Sequence, residues 1–299
     1  MTAARPVGHG MIAIPLLWGQ ALALVVTSQF AWQWFFAIHV FGLLTQVYIL
    51  YLNDYADEAI DRLNETYWLS GGSRVIPDEH LSGQQLFRGA IVALFFLLVV
   101  SAICFALGRT WMPLLAVAAV ILGWTYSLAP FQSSYRGFGE LHQSLSCGVY
   151  LPVMAFYLQS GTLQNFPWLY LLPVCLVFFA GNIITAIPDI ASDRMGNKKT
   201  YPVRHGGEKA RRDALLLLLV ACLLIAVLSA VSARLVSGLV ISVPPIVLLL
   251  YVYRSGLVQN ADAENRLLCK RYIVLTVACQ LWVMVMWTIF LFEHGLREA

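Results

Sequence analysis

Residues 34–62 read WFFAIHVFGLLTQVYILYLNDYADEAIDR. The first 20 of these residues, Trp34–Asn53, contain no Asp, Glu, Lys or Arg, whereas the next nine contain four carboxylates and one arginine. A helix needs about 20 mainly apolar residues to cross the hydrocarbon core of a bilayer. The stretch therefore predicts a membrane-spanning helix that ends in an acidic cluster at one membrane surface.

Apolar runs of similar length recur along all 299 residues. Apolar residues make up 60% of the chain and charged residues only 12%, about half of the roughly 25% that is typical of soluble domains. We predict an all-α, polytopic membrane protein, a bundle of about nine transmembrane helices. The predicted spans are Gly8–Thr27, Trp34–Asn53, Gly89–Gly108, Trp111–Pro130, Leu141–Gly161, Trp168–Ile187, Ala214–Ser232, Val236–Tyr253 and Tyr272–Phe292.

The positions of Lys and Arg predict the orientation of the chain, because they collect on the cytoplasmic side of a membrane. With a cytoplasmic N-terminus, 16 of the 19 basic residues fall inside, and only Arg109, Arg234 and Arg297 fall outside. We expect a multi-pass protein of the cell inner membrane, with its C-terminus outside. The net charge of +3 then reflects topology, and no basic patch with interleaved aromatic residues indicates a nucleic-acid partner.

The loops divide the chain unevenly. We interpret residues 1–299 as a single transmembrane domain with two long cytoplasmic loops, about 54–88 and 188–213. These loops follow the second and sixth spans, and each begins with a cluster of carboxylates. This spacing favours an internal repeat, in which two similar halves of the chain face one cavity.

The first acidic cluster is predicted to bind metal. Asn53, Asp57 and Asp61 are spaced i, i+4 and i+8, so on a helix they form one stripe, which Asp54 flanks. Carboxylates this close repel one another unless cations lie between them. Mg²⁺ suits such a site because it binds one or two carboxylates together with substrate phosphate oxygens. The alternative is a solvated acidic helix end paired with Arg62.

The second cluster contains Asp189 and Asp193, an i, i+4 pair that follows Pro188. Pro188 is expected to break or begin the local helix. Lys198 and Lys199 come a few residues later and would suit phosphate oxygens. Such a pair of aspartates is a weak signal alone. Since each cluster ends an apolar span and opens a basic loop, the two together predict a site for a metal-bridged diphosphate.

The candidates for binding the diphosphate or orienting it are Asn53, Asp54, Lys198 and three further residues. Arg74 ends a flexible turn, residues 70–74, whose backbone N–H groups could close over a phosphate. Tyr126 ends the fourth span, and Arg136 precedes the fifth. For Arg136 an ordinary anchoring role at the cytoplasmic surface is equally open.

The segments NDYADEAIDR (53–62) and DIASDRMGNKKT (189–200) resemble the UbiA superfamily of membrane prenyltransferases, with its NDxxDxxxD and DxxxD motifs. The resemblance implies a nine-helix bundle, a lateral opening to lipid and two Mg²⁺ ions that bridge an isoprenoid diphosphate. The residues that match the metal-binding motifs are Asn53, Asp57, Asp61, Asp189 and Asp193. Lys198 matches a lysine that contacts phosphate in these enzymes.

Within the superfamily, SGGSRVIP (70–77) and YRGFGEL (135–141) look most like the 1,4-dihydroxy-2-naphthoate prenyltransferases of menaquinone synthesis. The chain departs from that pattern at Asn197, where relatives often have Gly, and at Ser134, where they often have Lys. Its N-terminal segment, residues 5–10, also differs from the usual one.

The resemblance implies an enzyme that transfers a polyprenyl group from a polyprenyl diphosphate to an aromatic acceptor. The expected acceptor is 1,4-dihydroxy-2-naphthoate or a similar quinone precursor, and Mg²⁺ is the expected cofactor. The expected catalytic residues are Asp57, Asp61, Asp189 and Asp193. The alternatives are a phenolic or specialised-metabolite acceptor, a non-catalytic membrane relative, and a cation transporter that uses the carboxylates.

Overall fold

The computed structural model of the chain describes residues 6–62, 75–262 and 264–298, and all the regular secondary structure within these ranges is helical. The long helices are α1 (Pro6–Thr27), α2 (Trp32–Ala56), α4 (Gly83–Ala106), α5 (Met112–Ser127), α8 (Leu171–Ala186), α11 (Gly207–Val231), α12 (Leu235–Arg254) and α14 (Arg266–Glu298). The shorter ones are α3 (Glu58–Asp61), α6 (Gly139–Leu145), α7 (Leu151–Ser160), α9 (Ile190–Met195), α10 (Tyr201–His205) and α13 (Leu257–Asn260). The predicted all-α class is confirmed.

Seven helical stretches of the described chain are long and apolar enough to cross a membrane, and the 16-residue α5 is a shorter apolar helix. A ninth helical stretch occupies the predicted fifth span, but a π-helical turn, Ser146–Tyr150, divides it into α6 and α7. Each of the nine predicted apolar runs therefore corresponds to a helical segment. The chain is a multi-pass membrane protein.

Several helices extend beyond the apolar runs that predict them. α4 begins at Gly83 rather than residue 89, because Ser82 and Gln85 form a reciprocal capping box at its start. α11 begins at Gly207 rather than residue 214, so its first two turns carry charged residues. The apolar pattern reports the part of a helix that meets lipid, whereas capping and backbone hydrogen bonding decide where the helix ends.

α1 lies at the centre of the bundle, between two hydrophobic clusters. One cluster joins α1 to α8, α11, α12 and α14, and the other joins it to α2, α4, α5 and α7. Trp18 is fully buried and meets Trp287 edge to face, with ring centroids 5.2 Å apart. Gly19 lies against α7, where an added Cβ would come within 2.3 Å of the Pro152 carbonyl oxygen. Small residues allow this close helix contact.

The outer surface of the bundle is apolar. Large side chains such as Phe36, Phe95 and Val247 are each about 60% exposed on their helices. Soluble monomers rarely expose contiguous apolar surface on this scale. These side chains can contact lipid. Polar side chains that form a site are therefore expected inside the bundle.

Candidate active site

The first acidic motif lies at a break in the chain between α2 and α3. Asp57 separates the two helices, with φ −92° and ψ 5°. Its N–H donates to the Asn53 carbonyl at 2.8 Å, and its carbonyl accepts from the Asp61 N–H at 2.9 Å. The chain thus bends at Asp57 without losing the one-turn spacing to its neighbours. The side chains of Asn53, Asp57 and Asp61 line one cavity, as the predicted stripe requires.

The second acidic motif is built in the same way. A 3₁₀ turn, Ile187–Asp189, follows α8, and Asp189 precedes α9 with φ −92° and ψ 3°. Pro188 lies in the 3₁₀ turn, where its fixed φ favours the start of a helical segment. Asp189 and Asp193, one turn apart, both face the cavity that holds the first motif.

This shared cavity, which we call the carboxylate cavity, has a volume of about 200 Å³. Its polar side chains come from three regions of the chain, 53–61, 126–143 and 182–200, so only the tertiary fold brings them together. They are Asn53, Asp57, Asp61, Tyr126, Ser134, Glu140, Gln143, Asn182, Thr185, Asp189, Asp193, Lys198 and Thr200. Both predicted metal motifs, Tyr126 and Lys198 are therefore brought together.

Asp57 is paired with Lys198 inside the carboxylate cavity. Its Oδ2 accepts a hydrogen bond from Asn53 Nδ2 at 3.1 Å and forms an ion pair with Lys198 Nζ at 2.8 Å. Burial by itself would lower the pKa of Lys198, but attraction to Asp57 and the other anionic groups of the cavity outweighs it and raises that pKa. Lys198 therefore carries a positive charge into the acidic cluster.

The segment after α9 folds back over the cavity and fixes Asp193. Thr200 Oγ1 donates to Asp193 Oδ2 at 2.9 Å, and the Lys198 N–H donates to the Asp193 carbonyl at 2.8 Å. Gly196 allows this segment to lie on α3, because an added Cβ would come within 2.3 Å of Ile60 Cγ1. The two motifs are thus in direct contact.

The oxygens of the first motif fit a hard divalent cation. Asp57 Oδ1 and Asn53 Oδ1 are buried beside the cavity and have no hydrogen-bond partner within the described chain. Buried oxygens of this kind are normally paired, and oxygen is the donor that Mg²⁺ prefers. Among the described residues no three His, Cys, Asp or Glu side chains form a ready-made cage. This arrangement suits an ion that takes its remaining ligands from water or phosphate.

Two residues predicted to bind the diphosphate, Asp54 and Arg136, do not line the carboxylate cavity. Asp54 is 1% exposed and does not line it, because it faces the packed side of α2. Arg136 is exposed and lies outside the lining as well. Arg74 lies outside the described residues, and its role stays a prediction.

Two residues without a predicted role support the cavity. Tyr135 places its ring 5.5 Å from Lys198 Nζ and donates its hydroxyl to the Ala56 carbonyl at 3.4 Å. Glu140 is buried, and its Oε1 accepts the Tyr201 N–H at 2.6 Å. Both belong to the segment YRGFGEL, residues 135–141, which the sequence analysis singled out by its resemblance to related enzymes. That resemblance does not show which of its side chains face the cavity.

A second cavity, which we call the inner cavity, adjoins the first and has a volume of about 130 Å³. It is lined mainly from α2, α5 and the divided helix formed by α6 and α7. Four residues line both cavities: Ile49, Leu50, Tyr126 and Gln143. The cluster of carboxylates therefore opens towards a largely apolar space inside the bundle.

A sequence model described as the UbiA prenyltransferase family matches residues 12–276. The chain belongs to the UbiA prenyltransferase family. The predicted family is thus confirmed, and with it the enzyme class for which the family is named. The matched range contains both acidic motifs and the whole of the carboxylate cavity.

Solved structures of UbiA homologues share this fold. The apo structure of a homologue from Aeropyrum pernix K1 aligns with a TM-score of 0.71 at 17% identity, over 94% of this chain and 98% of that one. A homologue from Archaeoglobus fulgidus bound to DMAPP and Mg²⁺ aligns with a TM-score of 0.64 at 18% identity, over 98% of each chain. At these identities the likeness establishes the fold alone.

A shorter sequence match links the chain to a curated relative. The 1,4-dihydroxy-2-naphthoate octaprenyltransferase of Bacillus subtilis (strain 168) is 26% identical over 100 residues. The match spans about a third of each protein, 33% of this chain and 32% of the relative.

Proposed function

We propose that this chain is an intramembrane prenyltransferase that moves a polyprenyl group from a polyprenyl diphosphate to an aromatic acceptor, 1,4-dihydroxy-2-naphthoate or a similar quinone precursor. The observation that carries the proposal is the meeting of both acidic motifs and Lys198 in one cavity that opens into an apolar space. A diphosphate needs cations and donors at its head, whereas its hydrocarbon tail needs the apolar interior.

In this proposal Asn53, Asp57, Asp61, Asp189 and Asp193 hold Mg²⁺, and the four aspartates are the catalytic carboxylates. When bound, Mg²⁺ neutralises the diphosphate and makes it a better leaving group. Lys198 is positively charged and already within the cluster, so it can turn from Asp57 to a phosphate oxygen. Tyr126, which lines the cavity, and Arg74 are secondary candidates for orienting the diphosphate.

The proposed chemistry is an electrophilic substitution on the acceptor ring. The allylic C–O bond breaks, and its electron pair leaves with the diphosphate. A ring carbon of the acceptor supplies the electrons of the new C–C bond, and that carbon then loses a proton, or CO₂ where it carries a carboxylate. The apolar walls of the bundle keep water away from the cation.

Two relatives support these substrates. Structures of the Archaeoglobus fulgidus homologue contain DMAPP and Mg²⁺, or GPP and Mg²⁺, which supports a prenyl diphosphate donor and Mg²⁺ for this chain. The name of the Bacillus subtilis relative supports the naphthoate acceptor. We place the chain as one domain in the inner membrane, with the carboxylate cavity and the N-terminus on the cytoplasmic side, as the distribution of Lys and Arg favours.

The test is a transfer assay with the full chain purified in detergent. It contains Mg²⁺, a polyprenyl diphosphate and 1,4-dihydroxy-2-naphthoate, with 4-hydroxybenzoate in a parallel reaction and EDTA as a control. We expect prenylated naphthoate only when the metal is present. Transfer to the other acceptor alone would overturn the naphthoate assignment. Failure of the folded protein with every donor and acceptor would overturn the enzyme assignment.

A further inference from the structure

A large cavity lies at the end of the bundle opposite the carboxylate cavity. Its volume is about 480 Å³, and its walls are the end of α11, the start of α12, the end of α14 and the turn before α8. α8 begins beside this cavity and ends, 16 residues later, beside the carboxylate cavity. A helix of that length covers about 24 Å, so the two cavities belong to opposite surfaces of the protein. We call the new one the arginine cavity, because Arg234 and Arg297 line it.

Exposed tryptophans mark the depth of the lipid headgroups at this end of the bundle. Trp32, Trp111 and Trp168 are each about 60% exposed. Each lies at or just before the start of a helix whose other end reaches the carboxylate cavity. Tryptophan is enriched where the hydrocarbon of a membrane meets water. The arginine cavity includes Tyr170, two residues after Trp168, and therefore lies at the depth of the headgroups.

The rim of the arginine cavity carries an excess of positive charge. Arg297 pairs with Glu293, and Arg234 donates to Nε2 of His294. A ring nitrogen that accepts this hydrogen bond carries no proton, so His294 adds no charge. Among the carboxylates whose side chains the structure describes, none pairs with Arg234. Two arginines thus face one glutamate, and the cavity attracts an anion.

Hydroxyl groups lie beside the arginines. The hydroxyls of Tyr170 and Ser232 are 2.9 Å apart and share one hydrogen bond. That bond uses one of the two hydroxyl hydrogens, and the other is available to an oxygen atom of a ligand. Ser229 and Ser237 add two further hydroxyls to the lining. Guanidinium and hydroxyl donors together suit the oxygens of a phosphate group.

The floor of the cavity is apolar and adjoins the lipid-facing surface. Trp287, Leu291 and Ile241 line it, and each is less than 5% exposed in the folded chain. Val231 and Val236, which lie close to Arg234 in the sequence, are 83% and 76% exposed. A free phosphate ion would leave this apolar surface uncovered, whereas the glycerol and upper acyl carbons of a lipid would cover it.

We propose that the arginine cavity binds the headgroup of an anionic phospholipid, with the phosphate between Arg234 and Arg297 and the first acyl carbons against Trp287. Basic pockets between transmembrane helices are a known kind of site for anionic lipid headgroups. A lipid bound here holds together the ends of α11, α12 and α14. The site lies on the opposite surface from the carboxylate cavity, so this inference goes beyond the proposed function and does not depend on it.

The experiment measures lipid binding to the full chain, purified in a neutral detergent and freed of bound lipid. Native mass spectrometry follows the binding of phosphatidylglycerol and of the zwitterionic phosphatidylcholine, with inorganic phosphate as a competitor. The test variant is Arg234→Gln/Arg297→Gln. The matched control is Arg254→Gln/Arg266→Gln, which removes two exposed arginines from the opposite ends of α12 and α14.

We expect the wild-type chain to bind phosphatidylglycerol about tenfold or more tightly than phosphatidylcholine. Arg234→Gln/Arg297→Gln should lose this preference, and the control variant should keep it. An excess of inorganic phosphate should not displace the lipid. Displacement by equal concentrations of phosphate would overturn the lipid assignment in favour of a site for the free ion. Equal losses in the two variants would overturn the site itself, because they would indicate attraction to the overall charge of the chain.

A second measurement uses the wild-type chain alone and decides the question even if the double variant does not fold. Phosphatidylglycerol with a photoreactive group in its headgroup is bound and activated, and the labelled peptides are mapped. We expect labels within residues 228–237 and 287–297, which line the arginine cavity. Labels spread around the bundle, or confined to another surface, would show that the lipid does not bind here.

Discussion

The two acidic motifs share one backbone design and differ in what surrounds it. Asp57 and Asp189 have nearly the same dihedral angles, −92° and 5° against −92° and 3°, and each separates a long helix from a short one. This region of φ and ψ is sparsely populated and is common at active sites. One turn after each break, Asp61 and Asp193 line the same cavity as Asp57 and Asp189.

The surroundings show how the two motifs depend on each other. Asp57 is paired with Lys198, which belongs to the segment after the second motif. Asp193 is held by Thr200 from that same segment. One stretch of seven residues, 194–200, therefore stabilises the carboxylates of both motifs. The two halves of the site therefore form one electrostatic unit.

The largest expected effect comes from removing one charge from each motif in turn. Asp57→Asn should lower kcat by about 10³-fold, and Asp189→Asn should match it within about tenfold because both carboxylates line the same cavity. Steady-state kinetics over a range of Mg²⁺ concentrations would check this. A much smaller loss of kcat in Asp189→Asn would show that the two motifs do not contribute equally to catalysis.

Replacing the shared cation should have the next largest effect. Lys198→Met keeps the length of the side chain but removes the ammonium, so we expect the KM for the prenyl diphosphate to rise by about 10- to 100-fold. The acceptor KM should not change. If Lys199→Met, at the exposed neighbouring position, has an effect of the same size, the specific role of Lys198 is wrong.

Separating the two motifs should have a moderate effect. Gly196→Ala places a methyl group against Ile60 and should displace the segment after α9, lowering kcat by about tenfold. The double variant Gly196→Ala/Ile60→Ala makes room for the methyl group and should recover most of the activity. If the double variant is no better than the single one, the loss does not come from this contact.

The smallest effect is expected at Glu58, which directly follows Asp57. Glu58 pairs with Arg62 at 3.1 Å on the exposed side of α3 and lies against Gly83, away from the cavity. Glu58→Gln should therefore change kcat and the donor KM by less than about twofold. A loss comparable to that of Asp57→Asn would show that the stripe of Asn53, Asp57 and Asp61 is the wrong description of the first motif.

Much of the site could be predicted from local spacing. The i, i+4 intervals of Asn53, Asp57 and Asp61 survive the helix break, because one backbone hydrogen bond on each side of Asp57 preserves the helical spacing. The break itself was not evident in the first motif, which has no Pro or Gly, whereas Pro188 indicated a change of helix in the second.

The sequence by itself determined the class of fold, the approximate spans and the two motifs, because apolar runs and helical spacing are local properties of the chain. Only the tertiary structure decided that Lys198 pairs with Asp57, that Asp54 and Arg136 lie outside the carboxylate cavity, and that Thr200 holds Asp193. These are contacts between helices far apart in sequence. Their geometry depends on how the helices pack, which no local pattern of residues specifies.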